Sequence, residues 1–358
     1  MDWMSGKLNE LSTLSSKVLN EKSQKVRRSI DEIYKPNRQE SIIQEPIMQQ
    51  SVIPESIIPE SIIEQPVIPD NLVLVALARS GTSLCLINLL LTNNQLSIRA
   101  LVRSKEAASK LKEKYRDQFD IVIADFLDPT KLNEAMKHVK SVFHNGPPLH
   151  PKEYDMAVAM IDAAQKNDVE HFVYCSVAHP QLEQMITHQV KSRIEQYLIE
   201  SKLNYTILQP MPFFENNNLK QIIHQQCLYL PYSPDIRMSW VSRDDVAEVV
   251  AKVLWEKDKH FRATYELCGP DHISYRDVVQ LVSKQTGKLI DIQQISIEEA
   301  FKDFPVDEEC KNKDYTILAF HRRFNYYNRV GLTGNSNILS WLLERRPTNW
   351  IDYILASS

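Results

Sequence analysis

Glycine is scarce in this sequence, which has seven glycines among its 358 residues. Average usage of about 7% predicts roughly 25 glycines in a chain of this length. Because glycine lets the backbone approach a phosphate group closely, a phosphate loop built from several glycines is expected here only in altered form. The deficit bears directly on the loop after the first predicted strand.

Closely spaced cysteines and long apolar runs are also missing. The five cysteines are far apart and include no Cys-x-x-Cys pair, so we expect neither a disulfide framework nor a metal site. No segment approaches the length of apolar sequence that spans a membrane, and the first residues form no signal-peptide core. We therefore expect no membrane association and a reducing, cytoplasmic setting, with the nucleus as an alternative.

A strong charge of either sign is lacking as well. The formal net charge is −4, which gives no electrostatic basis for wholesale binding to nucleic acid or to an anionic membrane. Hydrophobic residues make up 43% of the chain, enough to build a sizeable core. These values favour a globular protein that does not bind nucleic acid.

The first 70 residues differ in composition from the rest. Residues 1–38 carry apolar side chains at helical spacing in a polar stretch, which predicts a marginal amphipathic helix; a partly disordered tail is the alternative. Residues 39–70 contain a near-repeat that restarts at Ser51, Ser56 and Ser61, with prolines that break helices and sheets. They predict an extended linker, or else a linear docking motif. A protein partner is expected to bind, if at all, through residues 1–70.

From residue 71 onward, strand-like and helix-like segments alternate. The apolar run at 72–77 is typical of a strand buried on both faces. The strict alternation predicts an α/β fold with a doubly wound parallel sheet, the Rossmann type. We place a nucleotide-binding domain at 71–210 and a smaller C-terminal α/β part, which completes a cleft, at 211–358. The predicted strands are 72–77, 97–102, 120–124, 141–143, 172–176, 205–208 and 263–267. The predicted helices are 82–93, 105–115, 129–139, 151–167, 188–201, 243–255 and 274–286, with Asp244 and Ser274 as candidate caps.

Several stretches resemble the NmrA-like family, a branch of the atypical short-chain dehydrogenases/reductases. They are Arg99–Arg103, Phe172–Gln181, Tyr197–Pro210, Phe213–Asn216, Asp244–Ala247, Thr264–Pro270 and Gly331–Leu343. The resemblance extends over residues 71–355, with the family region itself at about 71–305. It implies a Rossmann fold that binds a nicotinamide dinucleotide at the carboxyl ends of its strands.

The first βα turn carries the positions of the family's three glycines. The pattern Gly-x-x-Gly-x-x-Gly falls on Ala78, Gly81 and Leu84, so only the middle glycine is present. Leu84 places a large side chain where helix and strand usually pack closely. Arg79 either pairs with a phosphate or is a solvent-facing loop charge. The residues expected to face the cofactor phosphates are Ala78, Arg79, Ser80, Gly81 and Thr82.

Residues after three further strands are expected to contact the cofactor. Arg103 ends the second strand, where an arginine suits the 2′-phosphate of NADP(H) and an acid would favour NAD(H); an exposed strand-end arginine is the alternative. Asp125 resembles the family's adenine-proximal acid, or is a turn residue. Asn145, Gly146 and Pro147 resemble the loop over the middle of the cofactor, or form an ordinary turn. NADP(H) is therefore favoured over NAD(H).

The tyrosine–lysine pair of typical short-chain dehydrogenases is missing. None of the 14 tyrosines has a lysine four residues later, and Thr187 holds that place before Lys191. The family match suggests that Lys191 contacts the nicotinamide ribose. His188 is either an acid near neutral pH or a satisfied surface histidine. Ser176 resembles the site-facing serine of the superfamily, so the catalytic candidates are Lys191, His188 and Ser176.

Three functions remain open from these residues. The first is an oxidoreductase that acts on a small organic substrate, with Pro210 and residues 213–216 as a substrate-side wall or as core. The second is a non-catalytic sensor of NADP(H) or redox state that controls a protein partner. The third is a cofactor-free scaffold, which the missing glycines favour and Arg103, Asp125 and Lys191 disfavour.

Overall fold

The computed structural model describes residues 71–93, 96–304, 306, 310–311 and 313–357. The predictions for residues 1–38 and 39–70 lie outside this part. None of the helices in the described part is long and apolar enough to cross a membrane.

The main feature is a seven-stranded, fully parallel sheet in the order β3-β2-β1-β4-β5-β6-β9. The order in which strands are added reverses between β1 and β4, which is the switch point of a doubly wound sheet. The predicted Rossmann-type fold is therefore confirmed. The strands are β1 (Leu72–Val75), β2 (Ser97–Val102), β3 (Asp120–Ile123), β4 (Ser141–Asn145), β5 (His171–Cys175), β6 (Tyr205–Pro210), β7 (Cys227–Leu230), β8 (Arg237–Ser239), β9 (Ala263–Leu267), β10 (His272–Ser274) and β11 (Asp291–Gln294).

Helices cover the sheet and build the C-terminal region. They are α1 (Gly81–Asn93), α2 (Lys105–Tyr115), α3 (Pro129–Met136), α4 (Glu153–Lys166), α5 (Ile186–Glu200), α6 (Leu219–Gln225), α7 (Arg243–Glu256), α8 (Tyr275–Thr286), α9 (Ile297–Lys302), α10 (Asp314–Val330), α11 (Asn337–Leu343) and α12 (Trp350–Ser357). Ser274 caps α8 as predicted, through a reciprocal capping box with Asp277. The cap of α7 is Ser242 rather than Asp244, because the Ser242 hydroxyl accepts from the Asp244 N–H.

The two faces of the sheet are buried in separate apolar clusters. Within β1, the side chains of Val73 and Val75 belong to one cluster and those of Leu72 and Leu74 to the other. This division follows from the alternation of side chains along a strand. It explains why the strand has a continuous apolar sequence, as predicted for a sheet with helices on both sides.

The seventh strand comes from the C-terminal region. β9 pairs in parallel with β6, so the sheet extends beyond the domain boundary predicted at residue 210. Two small two-stranded sheets, β8 with β10 and β7 with β11, complete this region. The division at residue 210 remains a prediction, and the sheet itself contains strands from both sides of it.

Candidate functional site

The loop between β1 and α1 is stabilised by serines. The Ser80 hydroxyl accepts a hydrogen bond from the Ser83 backbone N–H at 3.3 Å, which is the geometry of a helix N-cap. It also donates to the Ser83 hydroxyl and accepts from the Asn145 amide, both at 2.9 Å. Ser80 therefore ties the start of α1 to the end of β4, across the switch point of the sheet.

Ala78 and Leu84 stand where the family pattern has glycines. The backbone turn at Leu77 and the small side chain of Ser83 make room for them. Leu77, not Ala78, takes the left-handed conformation of the turn, with φ of +43°. Ala78 is fully buried. The close contact between helix and strand is made by Ser83, whose hydroxyl donates to the Ala76 carbonyl at 2.9 Å. Leu84 is half-buried against the apolar core, so it does not occupy that close contact.

Gly81 begins α1 and lies against the side chain of Arg243. A Cβ built on Gly81 would lie 2.5 Å from Nη1 of Arg243. In the part of the chain that the structure describes, the backbone N–H groups of Gly81 and Thr82 have no hydrogen-bond acceptor. The N-terminus of α1 thus presents two free N–H groups beside a guanidinium, which favours an anionic ligand.

The predicted adenine-side residues lie at the carboxyl ends of β2 and β3. Arg103 is half-buried immediately after β2, and Arg79 is exposed. Asp125 forms a turn, because its Oδ1 accepts from the Leu127 N–H at 2.9 Å. The turn is one of the two interpretations that the sequence left open for Asp125.

Arg99 does not belong to this group. Its guanidinium donates to Asp120 at 2.6 Å and to the carbonyls of Ala135 and Lys137 at 2.9 and 2.8 Å. Arg99 therefore ties β2 to β3 and to the end of α3. Arg99 lies within β2, whereas Arg103 directly follows the carboxyl end of that strand.

Lys191 forms a buried ion pair below the loop that follows β4. Its Nζ lies 2.8 Å from Oε1 of Glu153, whose side chain is 1% exposed, and donates to the Cys175 carbonyl at 3.2 Å. Gly146 covers the pair, since a Cβ there would lie 3.2 Å from Glu153 Oε1 and 3.6 Å from Lys191 Nζ. Burial lowers the pKa of Lys191, but the nearby Glu153 carboxylate outweighs it, so that the net pKa is raised. Lys191 is therefore a permanent cation.

Ser176 belongs to a second buried polar group. Its hydroxyl donates to the Glu195 carboxylate, which also accepts from Gln209 Nε2 at 3.0 Å. Burial raises the pKa of Glu195. With its proton committed to Glu195, the Ser176 oxygen has free lone pairs and can accept from a ligand.

His188 is not a surface histidine, so that interpretation is wrong. Its side chain is 2% exposed, and its Nδ1 lies 3.0 Å from the His179 carbonyl. Burial lowers the pKa of His188 to about 4. The ring is therefore neutral at pH 7, and the Nδ1 proton faces a carbonyl, which only accepts. This geometry disfavours His188 as a general acid.

The segment proposed as a substrate-side wall has two other roles. Phe214 is fully buried and packs against Trp350 at 4.7 Å and Tyr353 at 5.3 Å between ring centroids, so it is core. Glu215 and Asn216 instead hold Arg243: the Glu215 carboxylate accepts from its backbone N–H at 3.1 Å. Asn216 Oδ1 accepts from its guanidinium at 3.2 Å.

Sequence reasoning missed Glu153, Glu195 and Arg243. Each is an ordinary helix residue in sequence and acquires its role through a residue distant along the chain. Arg243 directly precedes the Asp244–Ala247 segment, and nothing in the local sequence signals its contact with Gly81. Only the three-dimensional structure brings these residues to the carboxyl edge of the sheet.

Two surface cavities lie elsewhere. One, of about 420 Å³, is lined by the ends of α1, α7 and α11, including Leu90, Trp255 and Leu342. The other, of about 380 Å³, is beside the amino ends of β1, β2 and β3. Because ligands of open α/β sheets bind at the carboxyl ends of the strands, we place the site by the strand ends and not by these cavities. Across residues 71–357 as described, no cluster of side chains could hold a metal ion.

The residues at the carboxyl edge fit a nicotinamide dinucleotide in charge and position. The free N–H groups of α1 and the nearby guanidinium of Arg243 suit an anionic group, and Arg103 adds a positive charge after β2. Lys191 and Ser176 follow the strands on the other side of the switch point. Apart from Arg243, these residues thus follow the carboxyl ends of parallel strands, where this fold binds dinucleotides.

Comparison with known proteins places the chain in a family. The model of the NmrA-like family matches residues 72–354. Prestalk A differentiation protein A of Dictyostelium discoideum is 28% identical over 179 residues, which are 49% of this chain and 56% of that protein. An NAD(P)H azoreductase of Xenophilus azovorans is 29% identical over 215 residues, 59% of this chain and 73% of the azoreductase. The first of these alignments thus spans little more than half of its relative's length.

Solved structures share the fold. An NADPH-dependent quinone oxidoreductase of Escherichia coli, complexed with NADPH, has a TM-score of 0.65 and 20% identity; the match covers 79% of this chain and 99% of that one. NmrA, a negative transcriptional regulator, in complex with NAD, has a TM-score of 0.62 and 13% identity over 80% of this chain and 94% of that one. At these identities the likeness concerns the fold alone.

Proposed function

The chain belongs to the NmrA-like family, and on that premise we propose that it binds a nicotinamide dinucleotide at the carboxyl edge of its sheet. The observation that carries the proposal is the start of α1, where two N–H groups without acceptors lie beside a guanidinium at the switch point. Relatives and neighbours whose names mention NAD(P)H, NADPH and NAD support the same ligand class.

NADP(H) is the cofactor that we propose in preference to NAD(H). Arg103 follows β2 directly, at the place where the adenine ribose is distinguished in this fold. An arginine there can form a charge-assisted, bidentate contact with a 2′-phosphate. The residues that would hold the remainder of the cofactor are Ser80, Gly81, Thr82, Asn145, Gly146 and Lys191.

The activity that we propose is the reduction of a small, electron-deficient organic acceptor. The cofactor, when bound, supplies the hydride. A conjugated acceptor such as a quinone or an azo compound delocalises the charge that it gains and can take its proton from water, so that no catalytic tyrosine is needed. Lys191 provides a fixed positive charge beside Cys175, and Ser176 provides an acceptor oxygen. This chemistry is compatible with Thr187 and with a neutral His188.

A non-catalytic sensor is the second candidate, and the burial of Lys191 favours it. The Lys191 ammonium is engaged by Glu153 and by the Cys175 carbonyl, and its side chain is only 11% exposed. A sensor of redox state must bind the oxidised and reduced cofactors with different affinities, because a ligand shifts an equilibrium only by its differential affinity.

Calorimetric titration with NADPH, NADH and NADP+ tests these proposals. We expect micromolar binding of NADPH, weaker binding of NADH, and loss of that difference in Arg103→Ala. Arg276→Ala, which removes an exposed arginine paired with Asp235, is the matched control. Absence of binding by any of the nucleotides at millimolar concentration would overturn the proposal.

A screen for NADPH oxidation then separates the two candidates. Turnover with a quinone or an azo dye supports the reductase. No turnover, together with a tenfold or larger difference in affinity between NADPH and NADP+, supports the sensor and overturns the reductase.

A further inference from the structure

The guanidinium of Arg243 packs directly against Gly81. A Cβ on Gly81 would lie 2.5 Å from Nη1, 2.8 Å from Cζ and 2.9 Å from Cδ of Arg243. In dinucleotide-binding folds a glycine at the start of this helix is needed so that the pyrophosphate can approach the backbone. Arg243 therefore stands where the pyrophosphate of a bound cofactor comes closest to the protein.

Among the described residues, no carboxylate forms an ion pair with the Arg243 guanidinium at contact distance, although burial raises the pKa of Glu215 and Coulomb attraction to the guanidinium lowers it. The guanidinium donates to the neutral Asn216 Oδ1 at 3.2 Å and lies over the Phe213 ring, 5.4 Å from its centroid. The nearby Glu215 carboxylate binds the backbone N–H of Arg243 instead, at 3.1 and 3.3 Å. Asn216 and Phe213 thus hold the guanidinium in place, and across the described ranges no carboxylate oxygen is hydrogen-bonded to it.

Electrostatics at this point also favours an anion. α1 and α7 pack together, and Gly81 and Arg243 are the first residues of these two helices. A helix N-terminus carries a positive partial charge, so this N-terminus and the guanidinium together favour negative charge, part of which Glu215 and Asp244 already supply. The uncapped N–H groups of Gly81 and Thr82 point to the same requirement.

We propose that Arg243 is a pyrophosphate ligand, which links the pyrophosphate of the cofactor to the N-terminus of α1. The guanidinium supplies the contacts that the family's glycine loop usually makes through its backbone and that Ala78 and Leu84 disfavour here. The same placement explains why Gly81 is retained, since any side chain at that position would displace Arg243. The inference rests on the proposed binding of a dinucleotide.

Calorimetric titration with two ligands tests Arg243 separately from the rest of the site. NADPH contains the pyrophosphate, whereas adenosine 2′-monophosphate contains only the adenine-side phosphate. In Arg243→Gln we expect the Kd for NADPH to rise at least tenfold and the Kd for adenosine 2′-monophosphate to stay within twofold. Arg103→Gln should weaken both ligands, and the exposed-arginine control Arg276→Gln should weaken neither.

The outcomes separate the two proposals. If the wild-type protein binds NADPH and Arg243→Gln binds it as tightly or more tightly, the role of Arg243 is overturned while cofactor binding stands. If the wild-type protein does not bind NADPH, both are overturned. Arg243→Lys keeps the positive charge but loses the planar guanidinium with its paired donors, so we expect a smaller loss of NADPH affinity than in Arg243→Gln. The lysine variant replaces the glutamine variant if circular dichroism shows that Arg243→Gln is unfolded. An unchanged NADPH affinity in a folded lysine variant would then contradict the proposal.

Discussion

At the scale of residues, Glu153 and Lys191 form a buried ion pair on which stability depends. The ammonium and the carboxylate are 2.8 Å apart, with exposures of 11% and 1%. A buried ion pair is only weakly stabilising as a whole, because both charges lose their hydration. Removal of one partner is costly, since the other charge then remains buried without compensation.

Glu153→Gln should therefore destabilise the protein strongly at neutral pH. We expect the free energy of unfolding to fall by about 3–5 kcal/mol, measured by urea denaturation at pH 7. Without the carboxylate, burial lowers the pKa of Lys191 below its unfolded value, so the variant regains stability as the pH rises toward the unfolded lysine value of about 10.4.

A double variant provides the control for this prediction. Glu153→Gln with Lys191→Met removes both charges, and we expect it to recover more than half of the lost stability. A loss below about 1 kcal/mol in the single variant would mean that the pair is not buried as the structure has it.

His144 is a second residue with a measurable consequence. Its ring is fully buried among Phe126, Phe172 and Tyr174, and neither ring nitrogen has a hydrogen-bond partner within the described residues. Burial lowers the pKa of His144 to about 3. Below pH 6.5 the unfolded chain therefore takes up a proton that the folded protein does not, and stability falls as the pH falls.

His144→Leu should weaken this acid sensitivity. We expect the slope of unfolding free energy against pH, between pH 4 and 5.5, to decrease by about 1.4 kcal/mol per pH unit. Urea denaturation at several pH values gives the slope. Phe172→Leu, which changes the same cluster without removing a titrating group, should keep the wild-type slope. An equal slope in His144→Leu would show that His144 is protonated in the folded protein.

At the scale of elements, the N-terminus of α1 combines a structural cap with a proposed ligand site. Ser80 caps the helix through Ser83 and contacts Asn145. Because aspartate caps helices about as well as serine, a Ser80→Asp change can keep the helix while adding a negative charge where the pyrophosphate would bind.

Ser80→Asp should separate stability from binding. We expect the free energy of unfolding to stay within about 0.5 kcal/mol of the wild type. The Kd for NADPH should rise at least tenfold, because the new carboxylate repels the pyrophosphate. Ser296→Asp, at the exposed cap of α9, makes the same charge change elsewhere and should leave the Kd unchanged. Unaltered NADPH binding in Ser80→Asp would place the phosphates away from α1.

The sheet could be predicted element by element because its signals are local. Runs of buried apolar residues mark the strands, and the carboxyl ends of parallel strands necessarily gather the residues that follow them. Boundaries were less accurate: the apolar run at 72–77 continues past β1, which ends at Val75 because the backbone turns at Leu77. Beyond residue 210 the sequence predicts none of α6, β7, β8, β10, β11 and α9 to α12; most of these elements are short, although α10 has 17 residues.

The partners within the site could not be predicted from sequence. Glu153 becomes significant only where α4 lies against Lys191 of α5, and Arg243 only where α7 packs on α1. Such contacts depend on tertiary packing, which no local pattern encodes. The prediction of a surface position for His188 fails for the same reason, since its burial depends on elements that are remote in sequence.

For the whole molecule, one buried carboxylate makes several of the contacts that hold the C-terminal tail. Asp245, on α7, is 1% exposed and accepts three hydrogen bonds: from Arg345 Nη2 at 2.9 Å, from the Thr348 N–H at 2.7 Å and from the Thr348 hydroxyl at 2.9 Å. Directly after these residues, the fully buried Trp350 packs against Phe214 and Trp240. Asp245 therefore fixes the chain just before the last helix enters the core.

Asp245→Ala should loosen this end of the protein. The variant leaves the Thr348 N–H without an acceptor and the Arg345 guanidinium without its buried partner, so we expect a loss of about 2–4 kcal/mol in unfolding free energy. Hydrogen exchange should accelerate at residues 345–357 before the central strands, because α12 would open separately from the sheet. Asp244→Ala, at the exposed neighbouring position on α7, should cost less than about 1 kcal/mol. If the two variants lose equal stability, or if exchange in β1 and β4 accelerates together with the tail, then Asp245 supports the fold as a whole, and α12 does not open on its own.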